Sequence, residues 1–417
     1  MSAPGETTGR LSIERLQRAR WAALWVFFAF SAAVADFLAR IPQFKEDLDL
    51  DDAQLGLALL GSPVGALVAV QLAGTAAGRW GSRRVARVSV IGGCLALFLP
   101  AFAWNLPSLA VGLLILGALM GFTDVAANAQ GVAIEQQLGR PIMNGLHGGY
   151  SLGGLFGALV GSGAAALGVT PRVHLSVMAL VLAVGAWAGS RALLGVADDP
   201  HVHTPAASDS KSDSKSASES ESGEAPAAAA GGLVRLLAGY RAVVLLALIG
   251  LCSFVGEGAV ADWSGVHLRE TLDSSAGVAG LGFAGMSVAM AAGRFAGDRV
   301  VERFGPVRVL RTGALIAALG MALALVTPWP AVSVLGFTLF GVGVAPVAPV
   351  TFSAAGNTPG VPAAWAISRV TGIAYIGLLA GPPVIGFIAH HTSLTTALAI
   401  PAVLVAIIAL TAGAVRR

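Results

Sequence analysis

Charge is scarce in this chain: Asp, Glu, Lys and Arg make up 12% of its 417 residues, against 55% hydrophobic side chains. So little polarity cannot cover a globule of this size in water, which excludes an ordinary soluble domain. Aromatic residues stand at only 7%, and the two cysteines, Cys94 and Cys252, each lie inside an apolar run. Such a pair implies no disulfide framework and reads as two small packing residues. The net charge of +3 is small and the basic residues form no basic face, so no nucleic-acid partner is expected. His201 and His203 sit in an acidic, serine-rich segment and read as solvated side chains, so no metal and no cofactor are expected.

What is abundant is apolar length and glycine, 54 residues of it. Glycine is frequent in membrane helices, where close packing relies on small side chains. Stretches of about 20 apolar residues, enough to cross a bilayer core, occur six times before residue 195 and six times after residue 238, centred near Ser31, Gly65, Cys94, Met120, Gly157, Leu182, Cys252, Ser287, Gly320, Gly341, Gly377 and Ala402. The expectation is an all-α membrane protein with twelve transmembrane helices in two pseudo-symmetric six-helix bundles.

Sidedness follows from the cations. With the amino terminus in the cytoplasm, 22 Lys and Arg fall in cytoplasmic segments, and four (Arg40, Lys45, Arg172 and Arg269) fall outside. This bias sets both termini in the cytoplasm of a multi-pass inner-membrane protein. A rival reading of residues 1–39 as a cleaved signal, with Ala33-Val34-Ala35 before Asp36, leaves eleven spans and an unmatched half. The domains are then a cytoplasmic segment 1–20, a first bundle 21–194, a cytoplasmic linker 195–237 and a second bundle 238–417. The linker's alternating Ser, Asp, Glu and Lys cannot bury enough apolar area to order itself.

Two stretches repeat. Between spans 2 and 3 the chain carries Gly74, Gly78, Arg79, Gly81, Arg83 and Arg84; between spans 8 and 9 it carries Gly293, Arg294, Gly297, Asp298, Arg299, Arg303 and Gly305, with Gly74 and Gly293 separated by 219 residues. Both resemble the G-x-x-x-D-R-x-G-R-R loop signature of the major facilitator superfamily. The acidic position of the first copy is Gly78, so the charge-relay role that the resemblance implies falls to Asp298 or is absent. Span 5 also carries Gly149, Gly153, Gly157 and Gly161 at four-residue steps, echoed in span 11 by Gly377, Gly381 and Gly386. Small residues at that step form a flat helix face. The resemblance implies two bundles that rock about a central site, with spans 1, 4, 7 and 10 around the cavity, and a monomer, a small solute, protons and the lipid bilayer as the components of function.

Ionisable side chains in hydrocarbon cost at least about 2.5 kcal/mol, so each needs a partner, a cavity or a function. Asp36 lies in span 1, Asp124 in span 4, and Glu257 and Asp262 in span 7. Asp124, Asn128, Gly131 and Glu135 follow at steps of four, three and four and make one helix stripe. Asp124 and Asn128 are candidates for contacting solute, with an interhelical hydrogen bond as the plainer alternative. Glu257, Asp124 and Asp36 are the candidates for carrying a coupling proton. Glu257 has no basic partner near in sequence, whereas Asp36 and Arg40, four residues apart, are placed to neutralise each other. Tyr150, Tyr375 and Glu257 complete the solute-contact candidates. Arg79, Arg83, Arg84, Glu135, Asp298, Arg299 and Arg303 form a candidate cytoplasmic gate, with Glu135 expected to pair with Arg83, Arg84 or Arg87. His147, on a stripe with Asn144 and Ser151, and Arg369 are candidates for the inner vestibule. Gly149-Tyr150-Ser151-Leu152-Gly153 matches a hydrolase nucleophile pattern, but that pattern needs a strand and a strained turn, so no enzyme is expected.

Within the superfamily, the stretches around Asp124, Glu257 and Gly381 look like a bacterial branch related to the fucose:proton symporters, which implies a small polar, sugar-like solute and proton coupling. Proton-driven efflux of amphiphiles and a non-transporting membrane sensor are the alternatives.

Overall fold

Apolar runs with no water to bond their backbone must satisfy every N–H and C=O internally, and helices do this segment by segment. The computed structural model describes residues 11–50, 52–195, 225–274 and 276–416. The twelve principal helices are α1 (Ile13–Leu38), α2 (Gly61–Trp80), α3 (Ser82–Leu95), α4 (Leu106–Leu138), α5 (Met143–Ala166), α6 (Pro171–Gly189), α7 (Ala225–Val266), α8 (Ala276–Phe304), α9 (Pro306–Val326), α10 (Pro330–Val344, resumed at Val347–Gly356), α11 (Ala363–His391) and α12 (Leu394–Thr411). Ten stretches among the described residues are long and apolar enough to cross a membrane. The other two of the expected twelve are α5 and α8, glycine-rich helices of 24 and 29 residues packed within the bundle.

Local sequence sets the ends. Ser12, Thr170 and Ser393 cap α1, α6 and α12 by accepting a backbone N–H three residues on. Asn105 and Ser108 form a reciprocal capping box at α4, and Gly139, at φ +65°, closes the other end of that helix. Pro346 interrupts α10.

One boundary needs correction. Residues 225–237, assigned to the linker on composition, are the first turns of α7. The run Pro226-Ala-Ala-Ala-Ala explains why, since alanine is the best helix former and proline is tolerated in a first turn. The serine-rich stretch 196–224 lies outside the described residues, as do residues 1–10.

The glycine faces do what their spacing implied. A Cβ on Gly153 or Gly157 would collide with the Phe28 or Ala32 carbonyl, so α5 lies backbone to backbone on α1. In the other half a Cβ on Gly377 would crowd the Leu251 carbonyl at 2.8 Å, while one on Gly381 would make ordinary contact with Val255, so α11 approaches α7 closely at Gly377. The halves meet along α2 with α11 and α5 with α8. Large apolar side chains such as Val111, Leu159, Leu248, Leu319 and Leu410 remain exposed around the bundle, a surface for acyl chains rather than water. Trp80, Trp104 and Trp329 stand exposed at helix ends, where aromatic residues favour the headgroup level.

Candidate functional site: a polar cavity between the halves

The α4 stripe positions the first half of the site. Asp124 accepts from Asn128 Nδ2 through Oδ1 and from Tyr375 Oη on α11 through Oδ2, both at 2.9 Å. Asn128 Oδ1 in turn meets His147 Nε2 at 3.2 Å. His147 is packed between Phe27 and Phe352, with ring centroids at 5.1 and 5.7 Å. It is thus part of the central site rather than of an inner vestibule.

The second half contributes two charges. Glu257 accepts from Ser253 Oγ at 2.8 Å, one helical turn away on α7. Arg294, on α8, donates through Nη1 to Ser151 Oγ on α5 at 3.0 Å. It is only 8% exposed and its Nε has no hydrogen-bond partner in the protein. Arg294 and Glu257 line the same cavity, so opposite charges share one space.

These side chains enclose a cavity of about 210 Å³ lined by Asp124, Glu257, Arg294, His147, Tyr150 and Tyr375, with Phe27, Phe30, Phe254 and Phe352 as apolar walls. Drug-sized pockets run to about 300–1,000 Å³, so this one suits a smaller solute. Aromatic walls with a few convergent polar groups are the usual make-up of a small-molecule site.

The other acid expected here is elsewhere. Asp36 is fully buried outside this cavity, with His174 Nε2 of α6 at 3.2 Å and Arg40 beside it. Arg40 donates to the Val169 carbonyl. The cavity face of α1 is given by Phe27 and Phe30 instead, so acids line the cavity from two helices, not three.

Toward the end that carries the linker, the halves are tied together. Asp298 accepts the Asn144 and Gly145 N–H groups at 2.9 and 2.8 Å, placing its charge at the positive start of α5. Glu135 accepts the Ile142 and Met143 N–H groups at 2.9 and 3.3 Å and the Ser353 hydroxyl of the opposite half. Its carboxylate therefore caps α5, where the spacing had pointed to Arg83, Arg84 or Arg87; Arg83 reaches the Arg191 carbonyl at 2.8 Å. Gln136 adds a bond to Asn357 at 2.7 Å. At the first copy of the repeat a Cβ on Gly78 would meet nothing within 4 Å, and the halves are joined through Arg369 to Gln71 and Ser368 to the Val70 carbonyl. Arg79, Arg84, Arg299 and Arg303 are exposed at this end.

Arg294 escaped the sequence reading because it belongs to the Gly293–Arg299 string, read as loop. The helix runs on to Phe304, which places Arg294 ten residues, about 15 Å, inside the helix end. Counting back from the next turn signal, Gly305 at φ +79°, was the available clue.

Two six-helix halves around a polar cavity are the arrangement of a membrane transporter. The chain belongs to the Major Facilitator Superfamily, whose profile matches residues 21–267 and 246–417. It is 34% identical over 393 residues, 94% of each chain, to an uncharacterized MFS-type transporter of Yersinia pestis. The fold is similar to that of FucP in its outward conformation, with a TM-score of 0.74 at 20% identity over 95% of this chain and 98% of that one. It is also similar to the proton:xylose symporter XylE, with a TM-score of 0.69 at 13% identity over 96% and 95% of the two chains.

Proposed function

We propose that the protein is a proton-coupled symporter of a small polar solute, working as a monomer in the inner membrane with both termini in the cytoplasm. Solute enters the cavity from the outer side, a proton is held on Glu257 or Asp124, and the halves rock to release both inward. The single observation that carries this reading is the Asp124–Tyr375 bond: a cavity carboxylate of one half is held by the other, so the state of the site bears directly on how the halves meet. The ties from Asp298, Glu135 and Gln136 close the cytoplasmic side and favour an outward-facing state. The fold's similarity to FucP, a fucose:proton symporter of E. coli, and to XylE supports the mode of coupling.

The test is uptake in proteoliposomes under an imposed pH gradient, inside alkaline, for solutes that stabilise the purified protein against heat. Accumulation that collapses with a protonophore is the expected result. Efflux of solute against proton entry would replace symport by antiport, and binding without any flux would make the protein a sensor.

A further inference from the structure

Arg294 sets a charge-balance problem that a neutral solute does not solve. A guanidinium keeps its proton at any physiological pH, and a charge this deeply placed needs an anionic partner, because an unpaired one costs several kcal/mol. Of the two acids that share the cavity with Arg294, Asp124 is held by Tyr375 and Asn128, which leaves Glu257 as its counter-charge, with Tyr150 on the same wall. If a proton binds Glu257, Arg294 loses its counter-charge unless a new anion arrives. A carboxylate can engage a guanidinium through two parallel bonds, and Nε of Arg294 has no other partner.

We propose that the cavity takes a small hydroxylated carboxylate, with Arg294 as the anchor for its carboxylate group and a proton on Glu257 replacing the charge pairing that the solute displaces. The solute class rests on the cavity alone; the coupling step rests on the symport reading given above. The titratable groups facing this pair are Asp124 on α4, His147 and Tyr150 on α5 and Tyr375 on α11; α1 and α10 contribute Phe27, Phe30, Ala348 and Phe352, none of which titrates. Proton and monoanion cross together, so the cycle moves no net charge.

The experiment has two arms. Thermal-shift titrations compare glucuronate with glucose, gluconate with sorbitol, and lactate with propane-1,2-diol. At least one carboxylate is expected to stabilise the protein at tenfold or more lower concentration than its neutral counterpart. Its affinity should rise up to tenfold per unit fall in pH through the titration of Glu257, and it should be lost in Arg294→Gln and weakened in Arg294→Lys. In Glu257→Gln the affinity should hold but lose its pH dependence. Neutral compounds binding as well as carboxylates, or no carboxylate binding at all, overturns the solute class whether or not the arginine variants fold. The second arm measures uptake of the best carboxylate under a pH gradient and, separately, under a potassium–valinomycin potential. Uptake driven by the gradient and unaffected by the potential is expected. Uptake driven by the potential overturns the charge pairing; carboxylate binding without proton-driven uptake instead overturns the symport reading and leaves the ligand class standing.

Discussion

Tyr375 on α11 donates its hydroxyl to Asp124 on α4 at 2.9 Å, joining the two halves through the wall of their shared cavity. Tyr375 also stacks on Phe254 of α7 at 6.0 Å between ring centroids, so ring position and hydroxyl bond are set separately. Tyr375→Phe keeps the stack and deletes the bond. Hydrogen bonds to charged groups contribute about 1.5–3 kcal/mol. Uptake rate in this variant should fall roughly ten- to a hundredfold, with folded yield maintained; unchanged uptake would detach the bond from the transport cycle.

Glu257→Gln removes a protonation site while keeping the Ser253 bond within reach. Gradient-driven accumulation should disappear, whereas exchange of labelled for unlabelled solute across the membrane should continue. Retained accumulation would assign the proton to Asp124 instead.

Asp298→Asn leaves the side chain's shape but takes the negative charge from the start of α5. Such a charge contributes about 0.3–1 kcal/mol, up to ~2 when partly buried, which corresponds to a population shift of about two- to thirtyfold toward states open at the linker end. Spin labels at the exposed Arg140 and Glu302 would read it as a longer-distance population. An unchanged distance distribution would show that Glu135 and Gln136 hold this end by themselves.

Much of this was written in the sequence, and the limit has a physical form. Twelve apolar lengths and the glycine steps of α5 and α11 fix helices and close pairs because lipid and small residues leave few alternatives. Asp124 and Glu257 were conspicuous because carboxylates in hydrocarbon are costly. Asp36 was equally conspicuous, yet it faces His174 and Arg40 within its own half, and His174 is far from it in sequence. Cost alone marks a buried acid; only packing tells which space it faces. Arg294 was hidden for the opposite reason, since a cation among loop cations draws no attention until the helix is seen to enclose it.

Asp36→Asn should therefore separate stability from coupling. Removing one partner of a buried charge cluster costs about 3–5 kcal/mol, so the melting midpoint should drop, while pH-driven uptake per folded molecule should stay within about twofold of the parent. A stable variant with uncoupled uptake would return Asp36 to the proton path.

The α1–α5 contact offers a packing test. Gly153→Ala drives a methyl group into the Phe28 carbonyl, whereas Gly163→Ala on the same helix meets nothing within 4 Å. Overpacking costs about 1–3 kcal/mol, so only the first should lower the melting midpoint. Equal midpoints would mean that α5 slides freely on α1.

Proton movement during solute entry is the decisive quantity. Adding the most strongly stabilising solute of the carboxylate and polyol panel to proteoliposomes in lightly buffered medium should make the medium more alkaline, one proton disappearing per solute taken up, with no such change in Glu257→Gln. Solute entry without proton uptake, or with acidification of the medium, would contradict proton-coupled symport through this cavity.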